Sequence, residues 1–175
     1  MKMTGIHVTF EENWHSIQEN GWLKSEGIQW MGEGVYLWGY SNFTSSMEEM
    51  ADFWTEHKKR KSGRNAKVAR IKTKIEVAKN DLFDQVFNAV HKKIFEKAKS
   101  HVLRSAVARD HRTKKRLEPE IYDLIREGKN YKVLRGFFIT GELHTPFSGA
   151  VNPHIQICVC DIDCIVSAVE IDPPR

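Results

Sequence analysis

The sequence predicts an α+β domain, a mixed β-sheet whose helices are grouped between strands. Three observations carry this expectation. Several short segments alternate apolar and polar residues, as strands with one wet face do. A central block from about residue 81 to residue 128 instead carries apolar residues at helical spacing. The helical stretches are bunched together, so the chain lacks the strand-for-helix alternation of a parallel βαβ protein. At 175 residues the chain suits one domain of ordinary size, and no repeat, low-complexity stretch or linker divides 1–175.

Residues 5–10 (Gly-Ile-His-Val-Thr-Phe) are rich in β-branched and aromatic types and predict a first strand. A short helix follows from about Glu12 to Asn20, with Trp14, Ile17 and Gln18 on one face and Gly21 as its stop. A loop through Gly32 and Gly34 leads to a second strand, Val35 to Trp38. Ser45 or Ser46 then caps a helix carrying Met47, Met50, Ala51 and Trp54, a stripe that reads as core rather than as a cofactor box. Lys67 to Val77 alternates as a strand with one basic face. The 81–128 block reads as a helical insertion, first Leu82, Val86, Val90, Ile94 and Ala98, then Leu117, Ile121, Leu124 and Ile125, ended by Gly128. The remainder is again β: Tyr131 to Thr140, Ile155 to Cys160, and Ile165 to Ile171.

The composition excludes several classes. No apolar run is long enough to span a bilayer, and the N-terminus has no signal-peptide pattern, so the expected location is the cytoplasm. Three cysteines, Cys158, Cys160 and Cys164, are an odd count without paired CxxC spacing, which reads as buried strand positions rather than a disulfide or zinc site. No metal is expected. The net charge is +4, and the basic residues concentrate in Lys58–Arg64 and Arg109–Arg116. Those two clusters suit a nucleic-acid partner if they share one face, and solvated surface if they do not.

The residues that suggest chemistry are weak signals singly and stronger in order. His7 sits in His-Val-Thr on the first strand; then come Gly32-Glu-Gly-Val-Tyr36-Leu-Trp38 and, near the end, Gln156-Ile-Cys-Val-Cys-Asp161. This ordered set resembles the ADP-ribosyltransferase fold of the diphtheria-toxin and poly(ADP-ribose) polymerase class. In that class His-Gly-Thr opens the first strand, Gly-x-Gly-x-Tyr-Phe follows, and Glu-Tyr-Ile-Val-Tyr-Asp closes the site. The resemblance spans most of the chain except the helical insertion, and it implies a split mixed sheet with NAD⁺ as co-substrate.

What the resemblance implies for each position has a physical reason. Cleavage of the glycosidic bond of NAD⁺ develops a ribosyl cation, so the protein must hold nicotinamide, position the ribose and stabilise charge. His7 would hydrogen-bond a ribose hydroxyl, and the backbone at Val8, beside Thr9, would grip the carboxamide. Tyr36 would stack on the nicotinamide, with Gly32 and Gly34 permitting the turn that brings ring and backbone together. Tyr40 would add a second stacking contact, Ser45 or Ser46 would meet the amide, and Arg135 would pair with the pyrophosphate or else be a surface strand residue.

Gln156 stands where the family has its catalytic Glu, which keeps hydrogen bonding and loses the negative charge. Glu142 in Gly-Glu-Leu-His is the nearest carboxylate that could substitute. Loss of the Glu speaks against chain elongation, so the resemblance implies a mono-ADP-ribosyltransferase. The biological expectation is a toxin or defence effector of bacterial or phage type, modifying RNA, DNA or a nucleic-acid-bound protein and restrained by an antitoxin protein. Two alternatives stand beside it: an RNA 2′-phosphotransferase-like enzyme that also consumes NAD⁺, and a basic module that binds NAD⁺ or nucleic acid without catalysis.

Overall fold

Side chains of a strand point alternately to its two faces, so a strand apolar at both parities must be covered on both sides. Val35, Leu37 and Trp38 of the second strand and Ile155, Ile157, Cys158 and Val159 near the C-terminus are all buried, which places these two strands in the middle of a sheet. The computed structural model describes residues 1–25, 29–40, 46–62, 66–108, 117–140 and 152–171. Over these residues the chain forms seven strands and four α-helices: β1 (Lys2–Phe10), α1 (Glu11–Asn20), β2 (Val35–Gly39), α2 (Met47–Ser62), β3 (Val68–Glu76), β4 (Leu82–Asp84), α3 (Ala89–Ala108), α4 (Glu118–Gly128), β5 (Val133–Thr140), β6 (Asn152–Val159) and β7 (Ile165–Glu170).

The strands make one mixed sheet in the order β4-β5-β6-β2-β1-β3-β7. Only β4 and β5 run parallel. The fold class is therefore α+β, as the patterning predicts. One face, called here the rear, is covered by α1 and Trp22, which pack on Leu37, Ile71, Ile75 and Ile157. On the front face α2 lies over Ile6, Val8 and Trp38, while α3 and α4 lie over Leu134, Phe138 and Cys158. Cys158, Cys160 and Cys164 are all buried free thiols.

Most elements match their sequence signals. Gly21 ends α1 at φ 84°, its N–H reaching the Ile17 carbonyl. Ser46 caps α2: its Oγ accepts from Glu49 N–H at 3.1 Å, and the Glu49 carboxylate accepts from Ser46 N–H at 2.8 Å. Ser45, like Glu142, Arg64 and Arg109–Arg116, lies outside the described residues.

The 81–128 block departs from its expectation in two ways. Leu82 to Asp84 is not helix but an edge strand, too short for its alternation to be read. Helix α3 also turns a different face inward. Phe95, Ala98 and Val102 are buried, whereas Val90 and Ile94 are exposed. Residues spaced strictly by four advance about 400° per step, so a stripe built that way winds off one face within three turns. Nor is the block an appendage, because α3 and α4 close the largest front-face core.

Asp84 fastens this block to the sheet. Arg135 of β5 grips its carboxylate with both Nε (3.0 Å) and Nη2, and the same carboxylate accepts from Val86 and Phe87 N–H at 3.1 and 3.0 Å. Phe87 lies 4.5 Å from the guanidinium carbon. Removing either partner strands a buried charge, so Asp84→Ala and Arg135→Ala are each expected to cost about 3–5 kcal/mol. Urea-unfolding midpoints check this, with Asp84→Leu/Arg135→Met expected to lose much less than the sum of the two.

Candidate functional site

The sheet parts between β1 and β2. Where β1 pairs with β3 along its whole length, from Lys2↔Glu76 to Phe10↔Val68, it meets β2 only at Gly5↔Gly39 and Ile6↔Trp38. Beyond Ile6 the strands diverge, and the His7 side chain bridges them: Nδ1 lies 2.8 Å from the Tyr36 carbonyl oxygen. A carbonyl only accepts, so Nδ1 carries the proton and Nε2 is left as an acceptor. Trp22 meets the imidazole edge-on, with ring centroids 5.3 Å apart.

Burial holds the His7 pKa down to about 4, against the upward pull of its bond to the Tyr36 carbonyl, and the charge of Lys58 adds to the lowering. His7 is therefore a neutral imidazole at physiological pH, in a defined tautomer. That form can accept a hydrogen bond at Nε2.

Tyr36 is fixed at both ends. Its strand carries it on the front face beside Cys158 of β6. Its hydroxyl donates to the Gly32 carbonyl at 2.7 Å and accepts from Met31 N–H at 2.8 Å. Burial pushes the phenol well above its ordinary range, with the neighbouring Cys158 adding to the shift, so the group stays neutral. Two glycines make this arrangement possible. Gly32 has φ 86°, which an L side chain rarely adopts, and a Cβ at Gly34 would lie 2.5 Å from the Cys158 sulfur.

Gln156 sits on β6 directly across from Trp38 of β2 and Gly136 of β5, half-buried on the front face. No hydrogen bond ties its amide to the described residues. His7, Tyr36 and Gln156 line a single cleft of about 1530 Å³ that passes through the opening in the sheet. On the rear it is bounded by α1 and Trp22, and on the front by one stripe of α2 and one of α3. Val8, Thr9 and Gly34 line it as well. Thr9 is held by Asn13, whose amide donates to its hydroxyl at 3.3 Å.

Two expected residues are placed elsewhere. Arg135 pairs with Ile157 across the β5–β6 ladder, one step from the Gly136–Gln156 pair, so its side chain points to the face opposite Gln156. It lines a separate, smaller pocket of about 520 Å³ and is already engaged by Asp84. This corrects both readings of Arg135, which is neither beside the cleft nor a surface residue. Tyr40, at the end of β2, is 57% exposed and is not among the residues lining the cleft. Ser46 is the helix cap described above. The site also contains residues that the sequence did not place in it. Lys58 and Lys61 reach the cleft from α2, and Lys58 Nζ stands 4.8 Å above the Phe10 ring, close enough to His7 to lower its pKa. Trp30, Trp38, Trp54 and His154 line the front half. Among the described residues, no group of three or more His, Cys, Asp or Glu is placed to hold a metal, and no helix is long and apolar enough to cross a membrane.

An unfolded histidine titrates near 6.5 and native His7 near 4, so between these values the unfolded chain binds more protons. The stability that neutral His7 contributes is complete above pH 6.5 and drains away as pH falls toward 4. His7→Gln is expected to flatten that part of the pH profile of the urea midpoint. A profile as steep as that of the unsubstituted protein would assign the acid sensitivity to His57 and His91, whose pKa values burial also lowers.

The chain matches no protein-family model, and no curated protein or solved structure shows significant similarity to it.

Proposed function

We propose that this protein is an NAD⁺-dependent ADP-ribosyltransferase that transfers single ADP-ribose units. One observation carries the reading: His7, Tyr36 and Gln156 come from three strands, 149 positions apart at the extremes, and line one cleft where the sheet opens. The order of these residues supplies the family resemblance, and their convergence gives it a place to act.

In this reading His7 Nε2 accepts a hydrogen bond from a ribose hydroxyl, which its fixed tautomer permits. Tyr36 presents its ring to the nicotinamide, and the tether of its hydroxyl to Met31 and Gly32 keeps the ring from turning away. Backbone groups at Val8 hold the carboxamide. Lys58, rather than Arg135, offers a positive charge to the pyrophosphate. Gln156 hydrogen-bonds the ribose 2′-hydroxyl as the bond to nicotinamide breaks, its electron pair leaving with the neutral base. The amide brings no negative charge to the developing cation, which points to slow turnover and single transfers. Such a protein acts in the cytoplasm, where NAD⁺ is available, as a toxin or defence effector, and a cell that makes it needs an antitoxin to restrain it.

Nicotinamide release from NAD⁺ by the purified protein tests the proposal. Tyr36→Ala is expected to lose about 100-fold or more, and Gln156→Ala about 100- to 1,000-fold, the range for losing one well-placed polar contact at a transition state. Gln156→Glu is expected to raise the rate by returning a negative charge. NAD⁺ binding in calorimetry with no release would make the chain a non-catalytic binding module, and absence of both would overturn the family reading.

A further inference from the structure

The cleft is larger than a dinucleotide requires. Sites for small ligands usually enclose roughly 300–1,000 Å³, and this one encloses about 1530 Å³. The space beyond Tyr36 and Gln156 lies between α2 and α3, and its chemistry is distinctive. One stripe of α2 faces it, with residues three and four apart as one helix face requires: Met50, Phe53, Trp54, His57, Lys58 and Lys61. The stripe grades from apolar over the sheet, through aromatic, to basic at the helix end.

The rings of that stripe form a stack. Trp54 and His57 lie 4.8 Å apart and 15° from parallel, and Phe53 lies 6.3 Å from His57 at 27°. Trp54 meets Trp38 edge-on at 5.7 Å, and Trp38 meets His154 at 5.1 Å, which continues the aromatic floor across the sheet. Burial and the nearby Lys61, Arg60 and Lys58 hold the His57 pKa down, so it stacks as a neutral ring. The opposite wall is α3, which brings Lys92 and Lys99 to the cleft seven residues apart on one face. Four lysines against two glutamates, Glu96 and Glu118, leave the front half net positive.

We infer that the front half of the cleft binds a single-stranded polynucleotide, one base extending the Trp54–His57 stack and the phosphates running between the lysines of α2 and α3. Aromatic platforms flanked by cations are the general means of holding unpaired nucleic acid, because every base has a π face and every linkage a negative charge. A duplex keeps its bases stacked on one another and so has no free face to offer. A protein or small-molecule acceptor would leave the coincidence of stacked rings and paired lysine walls without a role. Calling the bound strand the acceptor rests on the transferase reading; its binding does not.

The test is filter binding of a labelled 12-nucleotide strand of mixed sequence to the full chain, as RNA, as DNA and as the matching duplex. Either single strand is expected to bind at least tenfold more tightly than the duplex, and the two single-strand arms identify which sugar is preferred. Trp54→Ala and His57→Ala are each expected to weaken binding about 5- to 150-fold, the range for one stacked base. Lys61→Gln/Lys92→Gln, one lysine from each wall and neither given to NAD⁺, is expected to reduce the slope of log affinity against log salt by about 1.4, that is about 0.7 for each of two phosphates. Lys72→Gln/Lys74→Gln, exposed on β3 away from the cleft, serves as the charge control and is expected to change neither. Should Trp54→Ala fail to fold, His57→Ala and the lysine pair carry the test. Equal binding of duplex, or stacking and lysine variants indistinguishable from the control, overturns the inference. Nicotinamide release without any oligonucleotide, measured on the same preparations, keeps the two questions separate. Release without strand binding sinks this inference alone, and strand binding without release or NAD⁺ binding sinks the transferase reading alone.

Discussion

Everything at the proposed site depends on how one backbone carbonyl is satisfied. Where β1 and β2 part, the Tyr36 carbonyl loses the partner that a continuing ladder would give it, and a buried, unpaired carbonyl is costly. The His7 ring supplies the missing donor. That one bond fixes the imidazole tautomer, keeps the opening from closing back into regular sheet, and holds the second strand at the distance that lets the cleft pass through. A side chain with no donor at position 7 would leave β1 and β2 either to zip together or to expose the gap to water.

The front face shows how packing and binding share the same residues. Helix α2 buries Met50 and Ala51 against Ile6, Val8 and Trp38, which anchors it to the sheet. The ring-bearing positions next to that anchor are only half covered, so they complete the core on one side and form a cleft wall on the other. The helical block from α3 to α4 does the same from the opposite side, with Phe95 buried in the core while Lys92 and Lys99 face the cleft. Because Asp84 and Arg135 tie this block to β5, the far wall is set by a buried ion pair that does not itself line the cleft and reaches it through Gln85 and Val86.

Local signals made His7, Tyr36 and Gln156 legible, because each lies on a strand whose alternation, flanking glycines or cysteines can be read in sequence. The position of Arg135 could not be read. A strand pattern gives the period of two but not which parity faces which layer, and Val133, Leu134 and Phe138 are buried at both parities. Its partner Asp84 is 51 positions away on a three-residue strand, too short to show alternation. Lys58 and Lys61 were visible only as charge, since nothing local distinguishes a lysine over a cleft from one in solvent. The apolar stripe of α2, Met47, Met50, Ala51 and Trp54, packs in the core as its spacing predicts, yet Trp54 also lines the cleft with its neighbours Phe53 and His57. A hydrophobic pattern reports burial against something, without saying whether that something is protein or ligand.

The tryptophans give the molecule an optical property that follows from its packing. The chain has five, and Trp22, Trp30, Trp38 and Trp54 all line the one cleft, while Trp14 is buried 6.5 Å from Trp22. Nearly all the intrinsic emission of the protein therefore originates at the walls of a single cavity, all four of its indoles in ring contact with histidines that quench when protonated. Whatever enters that cavity must change the colour or the lifetime of the light the protein already emits.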